Sequence, residues 1–225
     1  MTAHRNYRKR TQGFTLIELA VVMVIIGLLL GGLLAPLSTQ MENDRRKETQ
    51  ATLLAIREAL IGFALINGYL PCPDTNGNGL TDEPPCSTAS SSLNPSINAG
   101  NLPFATLGVS STDSWGRPWK YVVNGAFTTI AMTKSTVGTG AGIINVGTAA
   151  GCAAGTLLAS AVPAVVWSDG KTDMHLTSLA ENENFDGGAC FADAAYIMGA
   201  AGFDDMLTWI SRGVLINRMA ATGSL

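Results

Sequence analysis

An uninterrupted apolar segment near the N-terminus constrains this chain more than any other feature. It runs from Phe14 to Leu37 and contains one ionised side chain, Glu18. As a helix it would extend about 36 Å, which exceeds the roughly 30 Å of hydrocarbon in a bilayer. The segment is therefore predicted to cross a membrane once.

The charges before this segment predict its orientation. Arg5, Arg8, Lys9 and Arg10 precede it with no acidic residue among them. Because basic flanks stay in the cytoplasm, the N-terminus is predicted to lie inside and the remainder of the chain outside. A secretory signal peptide would have a shorter apolar stretch and a small-residue cleavage site after it, and no such site follows here.

The carboxylate of Glu18 calls for a partner. An acidic side chain at the centre of a membrane helix costs roughly 2.5 to 3.5 kcal/mol on insertion scales, so it indicates a functional residue. If the chain is cut after Gly13, the new α-amine of Phe14 is a suitable cation, in the same chain or in a neighbouring copy. Thr15 and Glu18 are also spaced as a capping box, which is the alternative explanation.

The residues Gly13-Phe14-Thr15-Leu16-Ile17-Glu18, followed by an apolar helix, resemble the prepilin signal of type IV pilins and type II secretion pseudopilins. This resemblance implies that a membrane peptidase cleaves after Gly13 and methylates Phe14. It also implies that Glu18 pairs with the N-terminus of an adjacent subunit during assembly.

The same resemblance implies a structural subunit rather than an enzyme. Its partners would be the prepilin peptidase, other pilin or pseudopilin subunits, an inner-membrane assembly platform and membrane lipid. The protein would lie in the inner membrane with a periplasmic head, and in a pilus or pseudopilus after assembly. The alternative is a membrane-tethered periplasmic binding domain, with calcium as a candidate ligand, that does not assemble.

Small residues recur every four positions in the apolar segment, at Gly27, Gly31 and Ala35. Such a stripe lets helices approach closely in lipid, so it is a candidate packing surface. The pair Gly31-Gly32 followed by Pro36 could equally mark a weak helical segment.

An α+β fold is predicted, with one long helix packed on a small antiparallel sheet as in pilins. Apolar residues at helical spacing after residue 50 continue the helix as far as Gly68. Strands are predicted at 119–123, 128–132 and 164–167, a long loop from Leu70 to about Pro103, and a C-terminal helix opening at Phe203. The predicted segments are a leader (1–13), an assembly helix (14–37), its amphipathic continuation (38–68) and the head (69–225).

Four cysteines lie on the exported side of the chain, where disulfides persist. Of the three possible connectivities we favour the sequential one, Cys72 with Cys86 and Cys152 with Cys190. A zinc site is not favoured, because there is no Cys-x-x-Cys pair and His4 and His175 cannot form a compact cluster with the cysteines.

No cofactor is required by this interpretation, but two places could bind calcium. Asp74, Asn76 and Asn78 alternate as in the first half of a calcium-binding loop, with Asp82 nearby; a glutamate at the twelfth position is missing. A turn stapled by a disulfide is the alternative here. The second place is the pair Asp204 and Asp205, which could instead serve to begin a helix.

Several function classes find no support. The net charge of −3 makes a broad nucleic-acid surface unfavoured. There is no Gly-x-Ser-x-Gly or His-Glu-x-x-His arrangement for hydrolysis. The glycines of 138–142 are interpreted as a flexible hairpin tip rather than a dinucleotide site.

Finally, the stretch from Asp113 to Tyr121 resembles the Asp-x-Trp-Gly-x-Pro-x-x-Tyr stretch of major type II pseudopilins.

Overall fold

A computed structural model gives the architecture of the chain. It describes residues 13–84, 86, 96–129, 132, 143–172, 178–197 and 202–223; for 30–37 it describes the backbone only. Most of the predicted leader, the glycines of 138–142 and His175 lie outside the described residues. Contacts divide the chain into two units, residues 1–44 and residues 45–225.

The predicted long helix is confirmed. Helix α1 covers Leu16–Asn67 as one element. It ends where Gly68 adopts a left-handed conformation (φ 78°) and donates its N–H to the carbonyl of Ala64 at 2.9 Å. Glycine takes this conformation without steric cost, which explains why the helix stops at this residue.

Apolar side chains between Phe14 and Leu29, the part of the first unit for which they are described, are exposed. Phe14 is 83% exposed and Leu16 is 91% exposed. An exposed apolar surface of this extent indicates burial in lipid or against other chains.

The Ser38–Asn67 part of α1 is also long and apolar enough to cross a membrane by length and mean hydropathy alone. Two observations argue against that role. Ile56 and Leu60 are fully buried in the core of the second unit, and charged residues crowd the stretch from Glu42 to Glu48. We therefore regard the 45–67 part as the core helix of the head. The membrane segment expected at 14–37 stays a prediction.

The head, residues 45–225, contains two sheets in the part that the structure describes. In chain order its strands are β1 (Ile97–Asn101), β2 (Lys120–Asn124), β3 (Ile144–Gly147), β4 (Leu157–Val162), β5 (Ala164–Ser168), β6 (Cys190–Ala192) and β7 (Met206–Ile210). The larger sheet is antiparallel with order β1-β2-β5-β7, and the smaller has order β4-β3-β6, with β3 and β6 parallel. Shorter helices are α2 (Phe104–Leu107), α3 (Leu179–Phe185) and α4 (Arg212–Thr222), and a 3-10 turn covers Gly125–Phe127. The α+β class is thus confirmed.

Both faces of the larger sheet are buried, and alternation along each strand assigns the side chains to the two faces. On β2, Tyr121 and Val123 pack with the core residues of α1 and α4. Val122, between them, packs with the smaller sheet. Because successive strand residues point to opposite faces, the middle of this strand, from Tyr121 to Val123, is apolar on both faces instead of alternating with polar residues.

The strand predictions had mixed outcomes. Those at 119–123 and 164–167 are confirmed as β2 and β5. The strand predicted at 128–132 is wrong where the chain is described, because Thr128 follows the 3-10 turn and its hydroxyl donates to the carbonyl of Gly125 at 2.9 Å. The loop predicted from Leu70 to Pro103 contains an unpredicted strand, β1.

The helix predicted to open at Phe203 is wrong in its first half. Residues Met206–Ile210 form β7, which completes the larger sheet beside β5. The helix begins only after Ser211, whose hydroxyl accepts a hydrogen bond from the N–H of Val214 at 3.4 Å. The apolar spacing of Leu207 and Ile210 suits a helix, but pairing with β5 outweighs this local signal.

Two disulfides with the sequential connectivity link segments of the head. Cys72 is bonded to Cys86 with Cα atoms 5.5 Å apart, and Cys152 is bonded to Cys190 with Cα atoms 5.7 Å apart. Near the first, the buried hydroxyl of Tyr121 donates to the carbonyl of Pro71 at 3.0 Å. This hydrogen bond holds the segment that follows α1 against the larger sheet.

Candidate functional sites

The N-terminal motif opens α1 with a capping box. The N–H of Glu18 donates to the hydroxyl of Thr15 at 3.3 Å, and the N–H of Thr15 donates to Glu18 Oε2 at 3.5 Å. Both contacts are long and exposed, so the carboxylate is held only weakly. Glu18 can therefore exchange this local contact for a stronger cationic partner.

The predicted packing stripe is only partly described. At Gly27 the space that a Cβ would occupy has no neighbouring atom within 4 Å in the described part of the chain. The side chain of Ala35 and the surroundings of Gly31 lie outside the described residues. Helix packing through this stripe stays a prediction.

The loop from Asp74 to Asp82 directs its carboxylates toward its own backbone. Asp74 Oδ1 accepts the N–H groups of Asn76, Gly77 and Asn78 at 3.2, 2.7 and 3.3 Å, and its Oδ2 accepts that of Gly79 at 2.7 Å. Asp74 is only 1% exposed. Charge-assisted bonds of this kind order a tight turn without an ion.

The other polar side chains of this loop act in the same way. The amide oxygens of Asn76 and Asn78 accept the N–H groups of Asn78 and Leu80 at 3.0 and 2.8 Å. Asp82 accepts the hydroxyl of Thr75 at 2.5 Å. The geometry favours the disulfide-stapled turn over calcium at this place.

A second acidic site lies where β5 ends and β7 begins. Carboxylate oxygens of Glu181, Asp204 and Asp205 lie within 4.8 Å of one another, and all three residues are buried. Asp204 and Asp205 immediately precede β7, and Glu181 is in the first turn of α3. Three carboxylates so close, away from water, repel one another unless a proton or a cation is present.

The hydrogen bonds of Asp204 are unevenly shared between its two oxygens. Oδ2 accepts the N–H groups of Lys171 and Thr172 at 3.0 and 2.9 Å and the hydroxyl of Thr172 at 3.0 Å. Oδ1 is buried and has no hydrogen-bond partner among the described residues. A buried acceptor without a partner is costly, so this oxygen is available for a ligand.

Asp205 shows the electrostatic strain of the cluster. Its pKa is raised to about 8, chiefly by burial; a hydrogen bond donated by Asn184 at 2.8 Å opposes the rise, and the charges of Glu181, Asp169 and Asp204 contribute to it. Without a bound cation, this carboxyl is protonated over much of the physiological range.

The donor chemistry of the cluster fits a hard divalent cation. Calcium takes six to eight oxygen ligands, commonly from carboxylates and backbone carbonyls. Glu181, Asp204 and Asp205 supply carboxylate oxygens from two elements, and Asp204 Oδ1 is already free of competing donors in the described region.

Sequence reasoning selected Asp204 and Asp205 but missed Glu181. Its Oε1 accepts the N–H of Asp204 at 3.0 Å, across 23 residues of chain. The pattern Ser178-x-x-Glu181 could have revealed the start of α3, since the Ser178 hydroxyl accepts the N–H of Glu181 at 3.4 Å. The pattern gives no indication that the carboxylate reaches Asp204.

A family model described as the prokaryotic N-terminal methylation motif matches residues 8–34. The N-terminal segment thus carries the methylation motif predicted for a prepilin-like protein. Proteins of the pilin and pseudopilin type are structural subunits and not enzymes.

The similarity extends beyond this motif. Over 120 residues the chain is 26% identical to the type II secretion system core protein G of Aeromonas hydrophila. The matched stretch covers 53% of this chain and 78% of that protein. No solved structure matches the chain significantly. The motif and this relative together indicate a pilin-like or pseudopilin-like subunit with an N-terminal membrane anchor.

Proposed function

We propose that the protein is a subunit of a type II secretion pseudopilus, stored in the inner membrane, cleaved after Gly13 and assembled through α1. The observation that carries this proposal is the methylation motif at 8–34, which begins before the cleavage position and ends inside the apolar helix. The secretion branch is preferred over an adhesive or uptake pilus because the relative is a type II secretion protein.

In this proposal the prepilin peptidase frees and methylates the amine of Phe14. Glu18 leaves its capping contact with Thr15 and pairs with the amine of a neighbouring subunit. Before assembly, the exposed apolar residues of α1 contact membrane lipid. After assembly they contact other subunits, on the assembly platform and in the filament. The head then lies in the periplasm.

The first test is the mass of the N-terminal peptide of the protein from cells with and without the prepilin peptidase. We expect a peptide that starts at Phe14, with one added methyl group, only where the peptidase is present. An intact leader in both strains would support the tethered binding domain and contradict assembly.

We further propose that the cluster of Glu181, Asp204 and Asp205 binds calcium and stabilises the head. What supports it is the buried, partnerless Asp204 Oδ1 beside two more carboxylates. For a dissociation constant near 0.1 mM, as in extracellular calcium modules, 10 mM calcium would add about 2.7 kcal/mol to the free energy of unfolding.

Thermal unfolding with and without calcium tests this site. We expect the melting temperature to rise by about 5 to 10 °C in 10 mM calcium. Asp204→Ala should abolish the rise, whereas Asp74→Ala should destabilise the head but keep the rise. A rise lost in Asp74→Ala and kept in Asp204→Ala would place the ion in the other loop.

A further inference from the structure

The turn from Asp113 to Arg117 belongs to the stretch that resembles major pseudopilins, and its acid is deeply buried. Asp113 is 7% exposed. Its Oδ1 accepts the N–H groups of Trp115 and Arg117, each at 2.9 Å. These two bonds close the turn, and they use only one of the two carboxylate oxygens.

The other oxygen reaches a different part of the head. Asp113 Oδ2 accepts the hydroxyl of Ser168, a fully buried residue that ends β5. The Ser168 oxygen in turn accepts the N–H of Gly170 at 3.0 Å. A second contact is made by Arg117, whose Nη2 donates to the carbonyl of Lys171 at 3.3 Å. The turn therefore holds the segment 168–172 at two points.

The segment 168–172 is the one that holds Asp204. The N–H groups of Lys171 and Thr172 donate to Asp204 Oδ2, as described above. Gly170 passes so close that a Cβ there would lie 2.5 Å from the carbonyl oxygen of Asp204, and its φ is 62°. Because Oδ2 is fixed by this segment, the direction of the partnerless Oδ1 depends on where the segment lies.

We infer that Asp113, acting through Ser168, is a positioning residue for the cation site at Asp204. The inference rests on the proposed calcium site. Asp113 does not touch the cation. It sets the position of the N–H groups of Lys171 and Thr172, which orient the cation ligand Asp204. Partners of this kind, one step removed from the ion, commonly control metal affinity by about tenfold or more.

A purely structural role for Asp113 would have a different signature. Loss of a buried cap lowers the stability of the calcium-free head but leaves the affinity of the folded protein for calcium unchanged. Asn124 provides a matched control. It is 1% exposed, and its Oδ1 accepts the N–H of Ala126 at 2.9 Å to begin the 3-10 turn.

The test is calorimetric titration of calcium into the detergent-solubilised full chain. Asp113→Asn, Ser168→Ala, the double variant and the control Asn124→Ala are compared with the unmodified protein. We expect each of the two single variants to raise the dissociation constant by about tenfold. The double variant should be no weaker than the weaker-binding single variant, because both residues act through one path.

Hydrogen exchange provides a second readout that does not need calcium. In the calcium-free chain, Ser168→Ala should speed the exchange of the Lys171 and Thr172 amides about tenfold or more, and Asn124→Ala should leave these two amides unchanged. Asp113→Asn keeps the shape of the side chain, so it reports the contact even if Ser168→Ala folds poorly.

The outcomes separate this inference from the proposal on which it rests. If the unmodified chain binds calcium and both single variants bind within twofold of it, the positioning role is overturned while the calcium site stands. If the unmodified chain binds no calcium, both the calcium site and the positioning role are contradicted. The assembly proposal is not affected by that result.

Discussion

Glu18 lacks a strong partner among the described residues of a single chain. Its neighbours on α1 are apolar and exposed, and its contacts with Thr15 are long. In lipid such a carboxylate lacks both water and a close cation, so pairing with a neighbouring N-terminal amine would be worth more than at a protein surface.

Replacement of this carboxylate should therefore block assembly without blocking processing. We expect Glu18→Leu and Glu18→Gln to be cleaved after Gly13 but to be at least about tenfold depleted from filaments, which corresponds to the loss of about 1.4 kcal/mol per contact. Quantitative immunoblotting of sheared filaments measures the effect. Asp44→Asn, an exposed acid farther along α1, is the control and should assemble normally. Normal assembly of Glu18→Leu would contradict the pairing.

The raised pKa of Asp205 has a consequence for stability. Its value in the folded head is about 8, against an ordinary 3.8. Between these values the folded state binds more protons than the unfolded state, so the calcium-free head should lose stability as pH rises, by up to about 1.4 kcal/mol per pH unit.

Urea unfolding of the calcium-free protein between pH 5 and pH 8 measures this slope. We expect Asp205→Asn to flatten it, because the amide keeps the shape of the side chain but does not titrate. An unchanged slope in that variant would assign the pH dependence to other groups.

Among the elements, those whose sequence pattern agrees with their tertiary environment were predicted correctly. Helix α1 has a long apolar pattern, β2 and β5 have short continuous apolar runs, and all three contribute to the buried core. Strand β1 was missed because its sequence, Ile-Asn-Ala-Gly-Asn, has low strand propensity and depends on pairing with β2. A local sequence pattern does not predict an element whose structure depends on pairing with residues distant in sequence.

The same division applies to the candidate sites. The methylation motif is contiguous, so the sequence shows all of it. The acidic cluster joins α3 to the residues before β7, and its third member, Glu181, becomes visible only in three dimensions. The contact between Asp113 and Ser168 spans 55 residues and could not have been read from either segment.

The two disulfides should differ in their contribution. On the chain-entropy model, the bond between Cys72 and Cys86, 14 residues apart, is worth about 3 kcal/mol. The bond between Cys152 and Cys190, 38 residues apart, is worth about 4 kcal/mol. Urea unfolding of the two double-serine variants gives both values, and a variant as stable as the unmodified protein would show that its bond is dispensable.

At the scale of the whole molecule, α1 contributes to both units. Its residues from Leu53 to Ala64 lie in the same core as Tyr121, Ile210 and Leu215. The head is therefore incomplete without this part of the helix, although a boundary at the end of the helix is the simplest one to draw from the sequence.

Two fragments test where the head begins. Residues 45–225, exported to an oxidising compartment, should unfold in one cooperative transition because they keep the whole core. Residues 69–225 should fail to fold, since they leave one face of the larger sheet uncovered. Urea titration followed by circular dichroism distinguishes the two fragments, and cooperative unfolding of the shorter one would show that α1 is dispensable to the head.

Ionisation of the Tyr121 hydroxyl can report the opening of the head through its absorbance. Burial raises its pKa well above the ordinary value of 10, while its hydrogen bond goes to the carbonyl of Pro71. The chain has four tyrosines, so an alkaline jump should produce phenolate absorbance in stages, with Tyr121 ionising only in molecules whose head has opened. The slow stage then reports the opening rate without any added dye or label.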